Sequence, residues 1–364
     1  MRVVVVGASG NVGTAVLRRL AEQPEVDEVT GIARRHPGNG RHAGPPYAGV
    51  TWYPIDVGGR GAVDALTNAF AGSSAVIHLA WQIQPSHDRA RIRRTNVQGT
   101  ANVAQAALRA SVPSLVVASS IGAYAPGPKD EPVDEQWPTT GVRGSTYSRD
   151  KADVEAMLTE LEDSNPELRV VRIRPALVFQ PAAAAEIARL FFGPLVPLSL
   201  LRFGRIPVLP AGPRLRVQAV HADDVAEAYV RAALSDVRGA FNIAAAEPPL
   251  DARSVAGRFH TRAVPVPVDL LRLIAEVTWH ARLQPTEPGW VRLLAGAPTM
   301  SCQRAETELG WRPLTNALDA FTALIEAMAE GTGADSAPLR PRSSVTDRLA
   351  GLLTGRLPGH GNPY

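Results

Sequence analysis

The stretch YSRDK, residues 147–151, places a phenol and an ammonium four positions apart. On a helix, positions i and i+4 share a face, so Tyr147 and Lys151 can stand side by side. An ordinary phenol titrates near ~10 and is a poor base at neutral pH. A neighbouring ammonium favours the phenolate and makes the pair a proton-transfer device. Spacing alone leaves a second reading open, a Tyr/Lys pair on a solvated helix face. The surroundings decide between them. Upstream, SLVVASS (114–120) has strand character and delivers Ser119 and Ser120 at its carboxyl end. In open α/β sheets that edge is where ligands bind.

The elements that must position these groups begin at the first residue. VVVV (3–6) suits a strand buried on both faces of a parallel sheet. GASGNVG follows, then TAVLRRLAEQ with helical spacing. Strand, glycine turn and helix are the context that dinucleotide binding requires. Gly7 permits the tight turn, Gly10 lets backbone amides approach a pyrophosphate, and Gly13 lets helix and strand pack closely. Ser9, Asn11 and Val12 join them as candidate cofactor contacts. After the next strand, EVTGIA, the chain reads Ala33, Arg34, Arg35, His36, without the carboxylate that would bind the ribose diol of NAD. A guanidinium there suits a 2′-phosphate, so NADP is preferred and NAD stays open. A third strand, VTWYPIDV (50–57), ends at Asp56 and Val57. Asp56 either accepts from an adenine amino group or caps the next helix. AVIHLAW (75–81) is a fourth core strand, and its end places Leu79, Ala80 and Trp81 where a cofactor would lie. Asn96 sits in a long helical stretch, 88–110. Strands and helices alternate throughout, which implies an α/β fold, a Rossmann-type doubly wound parallel sheet.

Ten segments in order extend this picture: GASGNVG, Asp56-Val57, HLAW, TNVQGT, SSIGAY, YSRDK, RIRPALVFQP, VHADDVAEA, FNIA and ELGWRP. Together they resemble the extended short-chain dehydrogenase/reductases, the NAD-dependent epimerase/dehydratase family. The resemblance runs from residue 3 to about 313. It implies that Tyr147 is the general acid/base, that Lys151 assists it and can bond the nicotinamide ribose, and that Ser120 holds the substrate oxygen. It also implies cofactor contacts at Asn96 and Pro175. The implied reaction is hydride transfer at a carbinol or ketone carbon. The same chemistry opens a nucleotide-sugar epimerisation or dehydration, which is the alternative enzyme class. A non-catalytic sensor of NADP redox state is a third reading, and the intact Ser120/Tyr147/Lys151 set argues against it.

The segment RPALVFQP (174–181) departs from the nucleotide-sugar members, which often carry an asparagine where Leu177 stands. Leucine cannot bond a phosphate. Leu177, Phe179, Trp81 and the apolar run from 190 to 203 point to a drier, non-nucleotide substrate. Against this stand Arg205, Arg214 and Arg216, where diphosphate contacts would fall, and apolar residues at helical spacing are often simply core. His221, Asp223 and Asp224 read as structural, with one of the two aspartates capping a helix over 221–234. Trp311 is expected to pack inside, and Cys302, the sole cysteine, to be a buried small residue. No metal site is expected.

Composition narrows the class. A formal charge of +3 without a basic run gives nucleic-acid binding little support. One cysteine excludes an internal disulfide. No apolar stretch reaches the roughly 18 residues of a spanning helix. The N-terminus does not read as a signal peptide, and a cytoplasmic protein acting on a small molecule is expected. Helix-mediated dimers are common in the resembled family, so a homodimer stays open. The domain division expected is 1–175 for the dinucleotide-binding part with returning segments near 215–245, then 176–330 for a smaller, mainly substrate-binding part. Residues 331–364 read as linker and tail, with 331–344 rich in Gly, Pro and Ser and VTDRLAGLLTGRL as a short amphipathic helix.

Overall fold

The valine run forms strand β1 (Arg2–Val6), whose residues Val3 to Val6 are wholly buried. A computed structural model describes residues 1–37, 44–83, 88–191, 209–246, 248–281 and 287–341. β2 (Glu28–Ile32) pairs with β1, and β3 (Thr51–Tyr53) with β2. On the other side of β1 come β4 (Ala75–His78), β5 (Ser114–Ala118) and β6 (Arg169–Pro175). After β7 (Leu177–Phe179), β8 (Leu209–Ala211) and β9 (Ala219–His221), the chain returns to this sheet as β10 (Gly239–Ile243), beside β6. The order β10-β6-β5-β4-β1-β2-β3 is parallel throughout. This is the Rossmann-type α/β sheet expected. Two small parallel pairs, β7 with β9 and β8 with β11 (Ala263–Pro265), lie outside it.

Pleating sends alternate valines of β1 to opposite faces. Val3 and Val5 meet α1 (Asn11–Leu20), while Val4 and Val6 meet α2 (Ala62–Phe70). Behind α2 run α3 (Arg89–Arg93), a π-helical turn (Arg94–Gln98), α4 (Gly99–Arg109) and α5 (Thr146–Ser164). The expected helix over 88–110 is thus real but carries one wide turn, centred on Asn96. α6 (Ala184–Phe191) contributes Ala184 and Ala188 to a separate hydrophobic cluster, and α7 (Ala222–Leu234) packs beside α1 on the first face. The remaining helices are α8 (Ala252–Arg258), α9 (Val268–His280), α10 (Gly289–Gly296), α11 (Gln303–Thr307) and α12 (Ala317–Glu330).

Val225, Ala228 and Tyr229 face inward from α7, as its spacing predicts. Its cap differs from expectation. The Asp223 N–H donates to His221 Nδ1 at 3.2 Å, so the histidine closes the helix start. Asp223 pairs with Arg18 at 2.6 Å, and Asp224 accepts from the Leu314 and Thr315 amides at 3.0 and 3.1 Å. Trp311 is wholly buried and donates Nε1–H to the Asp224 carbonyl at 2.7 Å. Cys302 is only partly buried, and burial pushes its thiol up to about 12.

α12 stops at Gly331, which takes the left-handed φ of 77°. By composition the next residues resemble a linker, yet 332–341 is docked. Leu339 is wholly buried, and Arg189 of α6 donates to the Pro338 and Arg340 carbonyls. A Gly/Pro/Ser count does not reveal that Gly333 folds the stretch back on itself, so closely that a Cβ there would sit 2.2 Å from the Leu339 carbonyl oxygen. The amphipathic stretch after 344, Arg205 and the apolar run beyond 191 lie outside the described residues.

Candidate active site

The glycine turn joins the β1 end to α1. The Gly7 N–H donates to the Ile32 carbonyl at 2.7 Å, tying the turn to β2. Gly7 has φ +88°, and a Cβ on it would lie 2.6 Å from the Ala80 nitrogen. The turn and the Leu79–Ala80 backbone are therefore in direct contact. A Cβ on Gly13 would strike the Gly7 carbonyl at 2.3 Å. Gly10 is different, because its added Cβ would be 3.4 Å from its nearest neighbour. Internal packing does not require a bare residue there. Gly10 is the N-cap of α1, and a side chain on it would cover the helix terminus at which a pyrophosphate would lie. The cradle thus fits a dinucleotide. Arg34 and Arg35 are exposed just past β2. Asp56 Oδ1 accepts from the Gly58 amide at 3.1 Å, which caps the turn leading to α2. Val57 is buried against Gly99, and Pro175 closes β6 opposite Ile243.

Ser120 follows β5 and begins a short turn, its Oγ accepting from the Gly122 amide at 3.0 Å. Ser145 caps α5, accepting from the Ser148 amide, and so sets Tyr147 and Lys151 in the first turns of that helix. The structure brings Ser120, Tyr147 and Lys151 together. The Ser120 hydroxyl is near enough to favour the phenolate, and Lys151 Nζ donates to the Ala118 carbonyl, at the end of β5, at 2.7 Å. Gly122 allows this approach, since a Cβ there would be 2.7 Å from the Tyr147 ring.

The electrostatics of the chain by itself run against the simplest expectation. Burial pushes Tyr147 up to about 12, and the nearby Ser120 hydroxyl offsets only part of that. Lys151 Nζ is 5.9 Å from the Tyr147 ring centroid but 3.4 Å from that of Trp81. The ammonium is held on an indole face rather than beside the phenol. Burial lowers Lys151 to about 7, against Glu155 and Asp150, which raise it. His78, at the end of β4, is driven down to about 3 by burial and then by Lys151.

Aromatic rings surround the phenol. Trp81 meets Tyr147 edge to face with centroids 6.0 Å apart, and its buried Nε1 has no partner among the described residues. Trp290 of α10 lies 4.9 Å from Tyr147 on another side, and Phe191 of α6 touches Trp290 at 5.3 Å. Trp290 carried no sequence signal, being an isolated aromatic far from any motif. Leu177 and Phe179 are not gathered here. They pack with Phe321 and the other buried residues of α12. β7 alternation turns them that way, which is the core reading of apolar residues. Arg216 is paired with Asp130 at 2.6 Å.

Asn96 holds backbone. Its side chain accepts from the Gln82 N–H at 2.7 Å and donates to the Gln82 carbonyl at 3.0 Å, fixing the chain just after Trp81. Glu155, one turn beyond Lys151, anchors the helix from below. It accepts from Ser119 and from Arg174 Nε and Nη2, both at 2.8 Å. Burial works against this carboxylate, but Arg174, with Ser119 and Arg172, outweighs it and keeps the group below its ordinary range. Arg174 continues to Tyr124, at 2.9 Å, and Tyr124 donates to Asn242 of β10 at 2.7 Å. Gln180, just after β7, donates to both the Asn11 carbonyl and Asn11 Oδ1.

Residues 3–244 match the NAD dependent epimerase/dehydratase family. An uncharacterized protein of Mycobacterium tuberculosis (strain ATCC 25618 / H37Rv) is 30% identical over 328 residues, covering 88% of this chain. The chain spans 30% of that relative's length. The L-arabinose 1-dehydrogenase (NAD(P)(+)) of Haloferax volcanii is 34% identical over 119 residues, 33% of this chain and 41% of its own. The UDP-glucose 4-epimerase of Thermus thermophilus, solved in complex with NAD, superposes with a TM-score of 0.63 at 22% identity, covering 91% of this chain and 99% of that one. At that identity the likeness is one of fold.

Proposed function

The chain belongs to the NAD dependent epimerase/dehydratase family, and from that premise we propose that it is a nicotinamide-dependent oxidoreductase acting at a carbinol or ketone carbon. The observation that carries this is the meeting of Ser120, Tyr147 and Lys151 at the carboxyl edge of β5, next to the glycine turn. A nicotinamide dinucleotide, when bound, supplies or accepts the hydride. Gly7, Gly10 and Gly13 with Asn11 and Val12 hold its pyrophosphate at the α1 terminus. Arg34 and Arg35 hold a 2′-phosphate, so NADP is preferred. Ser120 and Tyr147 converge on the reacting oxygen. A phenol near 12 is protonated at neutral pH, which suits donation to an oxygen that gains negative charge, the demand of ketone reduction. In the opposite direction Tyr147 must lose its proton, and Lys151 must leave Trp81 to help.

The substrate proposed is apolar and carries no nucleotide. The support is the aromatic wall of Trp81, Trp290 and Phe191 around Tyr147. Burying apolar surface contributes roughly 25 cal/mol per Å², enough to bind a hydrophobic ketone without a phosphate handle. The test is cofactor oxidation with a panel of extended apolar ketones against UDP- and dTDP-sugars. Turnover of the ketones with NADPH supports the reading. Conversion of a nucleotide sugar, with none of the ketones, moves the assignment to epimerase or dehydratase. Binding without turnover of either class, and unchanged by Tyr147→Phe, leaves the redox-sensor reading standing.

A further inference from the structure

The glycine-rich turn is gripped from outside the family-matched region. Ser336 lies 327 positions from Ser9, is 1% exposed, and donates Oγ–H to the Ser9 carbonyl at 2.8 Å. The same peptide unit is held at its other end, where the Gly10 N–H donates to the Gly7 carbonyl at 3.1 Å. Both polar ends of the Ser9–Gly10 peptide are thus engaged, which resists rotation of its plane. That plane sets the direction in which α1 begins. The first-turn amides of Asn11, Val12 and Gly13, which by helix geometry have no intrahelical acceptor, are aimed by it.

Ser336 is itself held rigidly. The Ala334 N–H donates to the Leu339 carbonyl at 2.8 Å, and the Leu339 N–H to the Ser336 carbonyl at 3.1 Å, closing a small loop over the Leu339 side chain. One flank of this loop is fixed to α6. The Ala185 N–H donates to the Thr332 carbonyl at 3.2 Å, and Arg189 binds the Pro338 and Arg340 carbonyls. A buried hydroxyl needs a partner, and here that partner is the carbonyl of the glycine turn, so tail and turn fix each other's position.

We propose that residues 332–341 are a positioning strap of the dinucleotide site, with Ser336 orienting the Ser9–Gly10 peptide so that the α1 terminus is preset for a pyrophosphate. The inference rests on the dinucleotide reading. The strap also spans from the cofactor turn to α6, whose Phe191 abuts Trp290 over the phenol. The two halves of the site are therefore joined by a segment that lies beyond the family's matched residues, 3–244.

The experiment is titration calorimetry of NADP, NAD and ADP-ribose with the full chain and with Ser336→Ala, beside thermal unfolding without ligand. Ser336→Ala should weaken all three ligands by a similar factor, about three- to tenfold, as one neutral hydrogen bond allows. Because each ligand carries the pyrophosphate, the nicotinamide should not matter. The ligand-free Tm should move by less than about 2 °C, since the change deletes one oxygen without opening a core cavity. Ser336→Thr, which keeps the hydroxyl, should restore at least half of the lost affinity. Wild-type affinity in Ser336→Ala overturns the strap. So does a loss confined to NADP and NAD, or one that Ser336→Thr does not relieve. If the unaltered chain binds none of the three ligands, the dinucleotide reading falls first and the strap with it.

Discussion

Gly122→Ala tests the geometry of the phenol with one methyl group. The new Cβ would stand 2.7 Å from Tyr147 Cε1 and 3.1 Å from Cδ1, so the ring or the turn must yield by about 0.7 Å to reach an ordinary contact of 3.4 Å. The ring cannot give way freely, because Trp290 lies 4.9 Å from it on one side and Trp81 6.0 Å on another. The turn is held by Ser120 Oγ on the Gly122 amide and by Ser148 Oγ on the Gly122 carbonyl. Either motion separates the Ser120 and Tyr147 hydroxyls that must meet one substrate oxygen. A misplacement approaching ~1 Å costs on the order of 10²-fold in rate. Overpacking of this size destabilises by about 1–3 kcal/mol, so the variant should still fold. Turnover of an accepted ketone should fall about a hundredfold, while the dissociation constant for NADP, measured separately, should change less than about threefold. Near-native turnover in a folded Gly122→Ala protein would refute the placement of the phenol against that turn.

Tyr147→Phe keeps the ring and removes the proton, so turnover should fall by roughly 10²–10⁴ with dinucleotide affinity little changed, as read by kinetics and calorimetry. Changing Arg34 and Arg35 together to uncharged residues should weaken NADP tenfold or more while NAD is nearly unaffected, since charge-assisted bonds are worth roughly 1.5–3 kcal/mol each; an equal loss for both cofactors removes the 2′-phosphate assignment. Burial holds Lys151 at about 7 in the folded chain against an ordinary 10.5, so between those pH values the unfolded chain binds more protons and stability rises with pH. The Tm difference between ligand-free wild type and Lys151→Met should accordingly shift toward the wild type on going from pH 7 to pH 10, and a flat difference would show that Lys151 stays charged in the folded chain. Free UDP and dTDP at millimolar levels should not raise the Tm of the cofactor-saturated protein, whereas apolar ketones should, because a ligand selective for the native state stabilises it.

The large sheet was legible because its signals are local and strong. A run of buried valines, a glycine turn and a helical period each lie within about twenty residues, and their order implies the topology. Tyr147 and Lys151 were legible for the same reason, being one helical turn apart. The aromatic wall was not. Trp290 reaches the phenol through tertiary packing of α10, and a lone tryptophan does not announce which ring it will meet. Leu177 and Phe179 were assigned to the pocket from a departure in motif, but strand alternation sends both toward α12. Ser336 was hidden inside a stretch whose composition resembles a linker, and only a contact across 327 positions reveals its place. Asn96 shows a subtler gap, since the resemblance implied a cofactor contact there while its bonds go to the Gln82 backbone.

The buried chain of Glu155, Arg174, Tyr124 and Asn242 bears on how this enzyme scaffold can be altered. It ties the underside of α5 to β6, to the turn after β5 and to β10, through a Glu155–Arg174 ion pair that water does not reach. Removing Glu155 or Arg174 alone would strand the other's charge, at a cost of about 3–5 kcal/mol. The half of the cleft to which proton transfer is proposed to belong is therefore resistant to gradual change. Trp290 and Phe191 stand on helices outside that network. A laboratory evolution campaign aimed at new ketones should find its accepted substitutions there, on α6 and α10, and few on α5.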